Sequence, residues 1–376
     1  MTNAKESHKR RLGQVRRELK SLSVEALLIL IQENRRYLCG YTGEDGQFDE
    51  SAGVLVITKD RAVLATDSRY DIQAERETFG VEVVRYPKGW VHDLPGILKE
   101  MGIRSLGFES ARMSVLQHQK LASNISAAEM AVDLVPVDGV VERLRICKDE
   151  IETEITRRSL ATAETAFDRL RPKIRRGITE IELAWLLEQE LKAAGAEGPS
   201  FPIIVAAGPN SALPHAVPGP RTIHRGEPIL FDWGARLEGY CSDISRTFIL
   251  GPADSTFRKV YDVVREAQAK AIEAIRPGMP CREIDAVARK IINATEFNGR
   301  FGHSLGHGTG LAIHESPKLS PTSDDILEPG MIVTVEPGIY LPEWGGVRLE
   351  HQVLVTANGA EILNGMELDS GELPEG

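Results

Sequence analysis

The chain has 376 residues, a length that suggests two domains, and a net charge of −10, which argues against a general binder of nucleic acid or of anionic membranes. With 42% hydrophobic and 27% charged residues, a folded water-soluble protein is expected. The N-terminus lacks an apolar signal-peptide core, no run is long enough to span a bilayer, and Cys39, Cys147, Cys241 and Cys281 lie far apart, so a cytoplasmic protein with reduced thiols is the expectation.

Taken in order, residues 8–21 read as a basic helix and Ala26–Ile31 as a buried strand. Asn34–Gly43 reads as a loop with two glycines, and 53–57 and 62–65 flank a turn and predict a hairpin. Strands at 81–86 and 106–108 and helices near 92–101 and 113–127 complete an α/β domain, taken as residues 1–140. The second domain, 145–370, opens with two helices split by Arg175–Thr179, where Thr179 and Glu182 form a capping box. Strand-forming residues follow at 201–205 and in a hairpin over 227–250. Two more helices (254–275 and 281–295) and a final hairpin (331–340 with 347–356) repeat the plan, which predicts a pseudo-duplicated α+β unit.

Chemistry concentrates in those two hairpins. With Leu237-Glu238 at the turn centre, Asp232 and Asp243 would face each other directly, and facing carboxylates repel unless a cation lies between them. Glu336 and Glu350 interrupt otherwise apolar strands, a costly place for unpaired carboxylates, and mirror the first pair. Gly306-His307-Gly308-Thr309-Gly310 lacks the Lys-Ser/Thr of a phosphate loop, so His307 reads as a metal ligand. Cys241, close to Asp243, reads as a small core residue. Four carboxylates and one imidazole suit Mn²⁺, with Co²⁺, Zn²⁺ or Fe²⁺ as alternatives, and exceed what one ion needs, so two divalent ions about 3.5–4 Å apart are expected.

Asp232, Asp243, His307, Glu336 and Glu350, in this order, resemble the ligands of the pita-bread (creatinase/aminopeptidase fold) metallopeptidases. Tyr37–Tyr41, Thr66–Tyr70, Ser211–Ala216 and His314–Pro317 extend the likeness to the proline-specific branch, Xaa-Pro aminopeptidase and Xaa-Pro dipeptidase (prolidase). The resemblance implies an α/β creatinase-type domain before a pita-bread catalytic domain. It also implies catalytic His215 and His314 outside the metals, Glu336 as both ligand and proton carrier, and His303 and Arg348 lining the substrate site. His351 departs from the acidic or amide residue common after the last ligand and is expected to act on the ligands' surroundings.

The leading expectation is a two-metal peptidase that removes the residue before proline from small peptides with proline second, as a homodimer in which one copy's N-terminal domain rims the other's site. A prolidase confined to dipeptides is the alternative. A metal-free creatinase-like hydrolase and a non-catalytic chaperone-type module would both need ligand positions replaced, and all are intact. A methionine aminopeptidase leaves the N-terminal domain unexplained. A metal-dependent lyase on the same fold would carry an acidic ligand where Gly234 stands.

Overall fold

A computed structural model describes residues 2–47, 50–368 and 370–374. Compactness divides the chain into two units between Arg145 and Ile146.

The first unit runs α1 (Thr2–Ser21), β1 (Ala26–Ile29), α2 (Gln32–Cys39), β2 (Val54–Thr58), β3 (Ala62–Thr66), α3 (Asp71–Glu77), β4 (Glu82–Arg85), α4 (Trp90–Glu100), β5 (Ser105–Glu109), α5 (Val115–Ala127), β6 (Asp133–Val137) and α6 (Val140–Arg145). Its mixed sheet has the order β4-β3-β2-β1-β5-β6. The expected hairpin is β2–β3, with Val54 opposite Ala65. The expected loop at 34–43 is instead mostly α2. That helix stops at Gly40, whose φ of 84° places it in the left-handed region and whose N–H bonds the Arg36 carbonyl. It was hidden because its buried face is partly polar. Asn34 is buried against Glu109 at 2.6 Å and Arg35 against Asp45 at 2.6 Å, so the helical period of apolar residues is broken.

The second unit runs α7 (Glu150–Leu170), α8 (Glu180–Ala193), β7 (Gly198–Pro199), β8 (Ile204–Ala207), β9 (Pro228–Trp233), β10 (Ala235–Leu237), β11 (Tyr240–Cys241) and β12 (Ile244–Leu250). It continues with α9 (Ser255–Ala274), α10 (Cys281–Asn293), β13 (Gly306–Gly308), β14 (Glu315–Leu319), β15 (Ile332–Val335), β16 (Gly338–Leu341), β17 (Gly345–Arg348), β18 (His351–Val355), β19 (Ala360–Ile362) and β20 (Glu372–Leu373). Two sheets, β20-β12-β9-β8 and β14-β13-β15-β18-β19, each carry a helix pair. Leu160, Phe167, Leu183 and Leu187 of α7 and α8 pack with Phe231, Trp233 and Phe248. Val260, Val264, Ile284 and Ala288 of α9 and α10 pack with Val333, Val335 and Val353. The Thr179 capping box forms as read from sequence.

The first hairpin differs from the expected register. Its turn is Glu238-Gly239, at φ 47° and 80°, the left-handed pair that a two-residue hairpin turn demands. Leu237 therefore pairs with Tyr240, and Asp232 faces Ser245 rather than Asp243. The slip is two residues, so both aspartates keep the same face. The final hairpin is split into β15–β18 and β16–β17. Val335 pairs with His351 and Gly338 with Arg348, which brings Glu336 and Glu350 opposite each other at the gap between the ladders.

Candidate metal and active site

Both hairpins interrupt their ladders where the acidic residues lie, and the side chains converge there. Asp232 is the penultimate residue of β9, Asp243 precedes β12, Glu336 follows β15 and Glu350 precedes β18. One oxygen from each of Asp232, Asp243 and Glu350 lies within 4.8 Å of the other two. His307 Nε2 is 3.6 Å from Asp243 Oδ2 and 3.4 Å from Glu336 Oε1, so the imidazole closes the same cluster. Gly306 and Gly308 permit this: a Cβ at these positions would lie 1.9 Å from the Thr334 carbonyl and 2.2 Å from that of Ser316. Only without side chains can β13 bring His307 between its two neighbours.

The electrostatics call for a cation. Burial first, then the carboxylates of Glu350, Asp232 and Glu336, hold Asp243 well above the usual carboxylate range. Burial, then Glu336 and Asp232, does the same to Glu350, while burial raises Glu336 against the pull of Arg348. Burial also pushes His307 down to about 4, keeping the neutral imidazole that a metal requires. Its Nδ1 lies 3.0 Å from the Gly308 carbonyl, an acceptor that puts the proton there and leaves the Nε2 lone pair facing the carboxylates. Asp232 Oδ1 and Glu350 Oε1 are buried with no hydrogen-bond partner. Buried anionic oxygens left this way are costly, and a divalent cation is the group that would satisfy them. The donor set therefore fits divalent metal.

Arg348 is 2% exposed and reaches across to the first hairpin. Its Nη2 donates to Asp232 Oδ2 at 2.6 Å, its Nε to Ser245 Oγ at 2.8 Å, and its Nη1 to Tyr340 Oη at 2.9 Å and to the Pro214 carbonyl at 3.1 Å. His303 Nε2 meets the same tyrosine hydroxyl at 2.8 Å. His314 packs edge-on against His307 with ring centroids 4.5 Å apart. His215 is exposed, one residue beyond the Pro214 carbonyl that Arg348 holds. Burial, then Arg246, pushes the His351 imidazole down to about 3, with the Met366 backbone opposing.

Sequence reasoning missed Tyr340, which joins His303 to Arg348, and Gln352. The Gln352 Oε1 accepts the Asp243 N–H at 3.1 Å, while its Nε2 donates to Thr309 Oγ1 at 2.6 Å. Tyr340 was findable, because strand alternation sets it on the face of Glu336, four residues earlier. Gln352 was not, since its partners are 109 and 43 residues away.

Residues 154–357 match Metallopeptidase family M24, and residues 11–147 match the Creatinase/Prolidase N-terminal domain.

The chain belongs to metallopeptidase family M24.

It is a metallopeptidase with a creatinase-type N-terminal domain ahead of a pita-bread catalytic domain. It is 40% identical over 349 residues to the uncharacterized peptidase YqhT of Bacillus subtilis, covering 93% of this chain and 96% of that one. Among solved structures, Xaa-Pro dipeptidase from Bacillus anthracis is similar with a TM-score of 0.90 and 36% identity, covering 96% of this chain and 99% of that one. The X-Pro aminopeptidase of Thermotoga maritima is similar with a TM-score of 0.85 and 34% identity, covering 95% and 99%. No helix among the described residues is long and apolar enough to cross a membrane.

Proposed function

We propose that this metallopeptidase hydrolyses the N-terminal Xaa-Pro bond of small peptides, as an Xaa-Pro aminopeptidase. The observation that carries the chemistry is the convergence of Asp232, Asp243 and Glu350, two of them with buried partnerless oxygens, while the neutral imidazole of His307 lies beside Asp243 and Glu336. Asp232, Asp243, His307, Glu336 and Glu350 would hold two divalent ions, Mn²⁺ best matching a donor set of mostly carboxylates. Such ions supply an acidified water and a polarised carbonyl. Glu336, whose proton affinity burial has raised, accepts the proton of the attacking water and passes it to the departing proline nitrogen. His314, with His215, donates hydrogen bonds to the oxyanion that develops on the cleaved carbonyl. Arg348 and Tyr340 hold Asp232 and His303 in place around the substrate.

Proline specificity is supported by the named relatives of both length preferences. A dipeptidase reading is the second one, favoured by the higher TM-score to the Bacillus anthracis dipeptidase. The lyase alternative is disfavoured at Gly234, where a Cβ would lie 1.8 Å from the Ser242 carbonyl, leaving no room for an acidic ligand. A cytoplasmic homodimer is part of the same proposal, resting on the family likeness and on the spaced thiols. Light scattering that finds fully active monomer at micromolar concentration would remove the dimer.

The deciding experiment compares Xaa-Pro dipeptides, Xaa-Pro-Yaa peptides and Xaa-Ala controls in the presence of Mn²⁺. Cleavage of Xaa-Pro-Yaa at a rate equal to or above that of the dipeptides is expected. Cleavage of the dipeptides alone moves the assignment to prolidase, and equal rates on the Xaa-Ala controls would defeat the proline reading.

A further inference from the structure

Glu180 is a carboxylate with no exposure to solvent, at the first position of α8 and not among the clustered carboxylates. All the bonds its side chain accepts come from one segment, Ala207 to Gly219. Its Oε1 takes the Ala207 N–H at 2.8 Å and Asn210 Nδ2 at 3.0 Å. Its Oε2 takes the Gly219 N–H at 3.1 Å and Asn210 Nδ2 at 3.2 Å. The backbone joins in, with the Ile181 N–H donating to the Gly219 carbonyl at 3.1 Å. One buried anion thus pins both ends of the loop that carries His215. The crest of that loop is pinned separately, by Arg348 on the Pro214 carbonyl and by Ser211 Oγ under the Gly346 N–H at 2.8 Å.

The helix start does not need this carboxylate. The second half of the unit builds the same turn before α10: Thr179 bridges Thr222 as Pro280 bridges Ile326, and the Glu180 N–H bonds the Arg221 carbonyl as the Cys281 N–H bonds that of Asp325. Cys281, fully buried, stands where Glu180 stands. A thiol serves the turn there, so the buried charge in the first half serves what it touches, the His215 loop. Burying a carboxylate without a cation is tolerated only when several donors satisfy it. Those donors are therefore held firmly in return.

We infer that Glu180 is a positioning residue that sets the His215 loop for reaction. The inference rests on the proposed role of His215. Glu180→Ala should keep its metal content and KM close to those of the parent, and lower kcat by roughly 10- to 100-fold, the scale of a misplaced reacting group. Hydrogen exchange at the Ala207 and Gly219 amides should speed up. The same substitution in a His215→Ala background should change kcat by less than about twofold, because the group it positions is gone. Glu180→Gln, which retains one acceptor oxygen, should lose less than Glu180→Ala, and it carries the cycle if the alanine variant does not fold. An equal loss of kcat in both backgrounds, or unchanged exchange at the two amides, overturns the inference and leaves the role of His215 standing. His215→Ala at full rate overturns both.

Discussion

In the first half of the catalytic unit, α7 and α8 pack on a sheet whose central hairpin is broken near Asp232 and Asp243. In the second, α9 and α10 pack on a sheet whose hairpin is broken at Glu336 and Glu350. The frames agree and the contents do not. Ile204 pairs with Asp232, and two residues further the first half has Ala206. The Leu305 carbonyl accepts the Glu336 N–H, and two residues further the second half has His307. The second half also supplies Arg348, whose guanidinium holds Asp232 of the first. In exchange, the first half holds the His215 loop through Glu180, at a position where the second has Cys281. The duplicated frame places Asp232 and Glu336 equivalently, but Asp232 faces Ser245 where Glu336 faces Glu350, and the asymmetry comes from single residues changed on that frame. On the proposed function the metal is shared by both halves, so damage to either should empty the site.

The largest effect expected is therefore at a ligand. Asp243→Asn removes one charge from the cluster, and metal affinity should fall by more than the 10- to 100-fold typical of an outer partner. Activity should fall with it. Elemental analysis of Mn²⁺-loaded protein freed of excess metal should find close to two ions in the parent and fewer in the variant, and a variant that keeps full occupancy would sink the ligand assignment. Arg348→Met tests the tie between halves. It leaves Asp232 buried beside a lost cation, which should cost metal-free protein about 3–5 kcal/mol in urea unfolding. Added Mn²⁺ should recover part of that, because it replaces the missing charge; no recovery would mean that the metal does not sit beside Asp232.

His314→Ala makes the converse contrast. It should retain its metals while kcat falls by ~10²–10³, as expected for an oxyanion donor. Loss of metal in His314→Ala together with full occupancy in Asp243→Asn would invert the assignment of ligand and outer residue. Smaller effects probe the frames. Thr179→Ala should cost about 1 kcal/mol, because α8 has a complete capping box whereas α10 starts at Pro280 with no side-chain cap. Pro280→Ala should not remove a comparable bond, and equal losses at both positions would show that capping does not distinguish the helices. Glu238→Asn places a residue better suited to φ 47° at the hairpin turn and should stabilise by about 0.5 kcal/mol. A loss of stability there would contradict the turn register.

Much of the site was legible because a carboxylate in an apolar strand is costly and draws notice wherever it falls. Asp232 in Ile229-Leu230-Phe231-Asp232-Trp233 and Glu336 after Ile332-Val333-Thr334-Val335 could be identified without a structure. The hairpin register could not. A two-residue slip conserves the buried face, so hydrophobic alternation does not distinguish Leu237-Glu238 from Glu238-Gly239 as the turn. Helix α2 was illegible for a different reason: its buried Asn34 and Arg35 are satisfied by Glu109 and Asp45, and no apolar period marks that face.

What the chain determines by itself is local: the capped helix start at Thr179, the existence of the hairpins, the order of the candidate ligands, and the glycines that flank His307. Each depends on residues within a turn or two, where propensity and spacing act directly. What only the tertiary structure decides is which polar groups meet. Arg348 finds Asp232 across 116 positions, Gln352 finds the Asp243 backbone across 109, and Glu180 finds Gly219 across 39. Hydrogen bonds are short and directional while the chain between their partners is long and flexible. No spacing rule fixes them until the packed sheets bring the partners within about 3 Å.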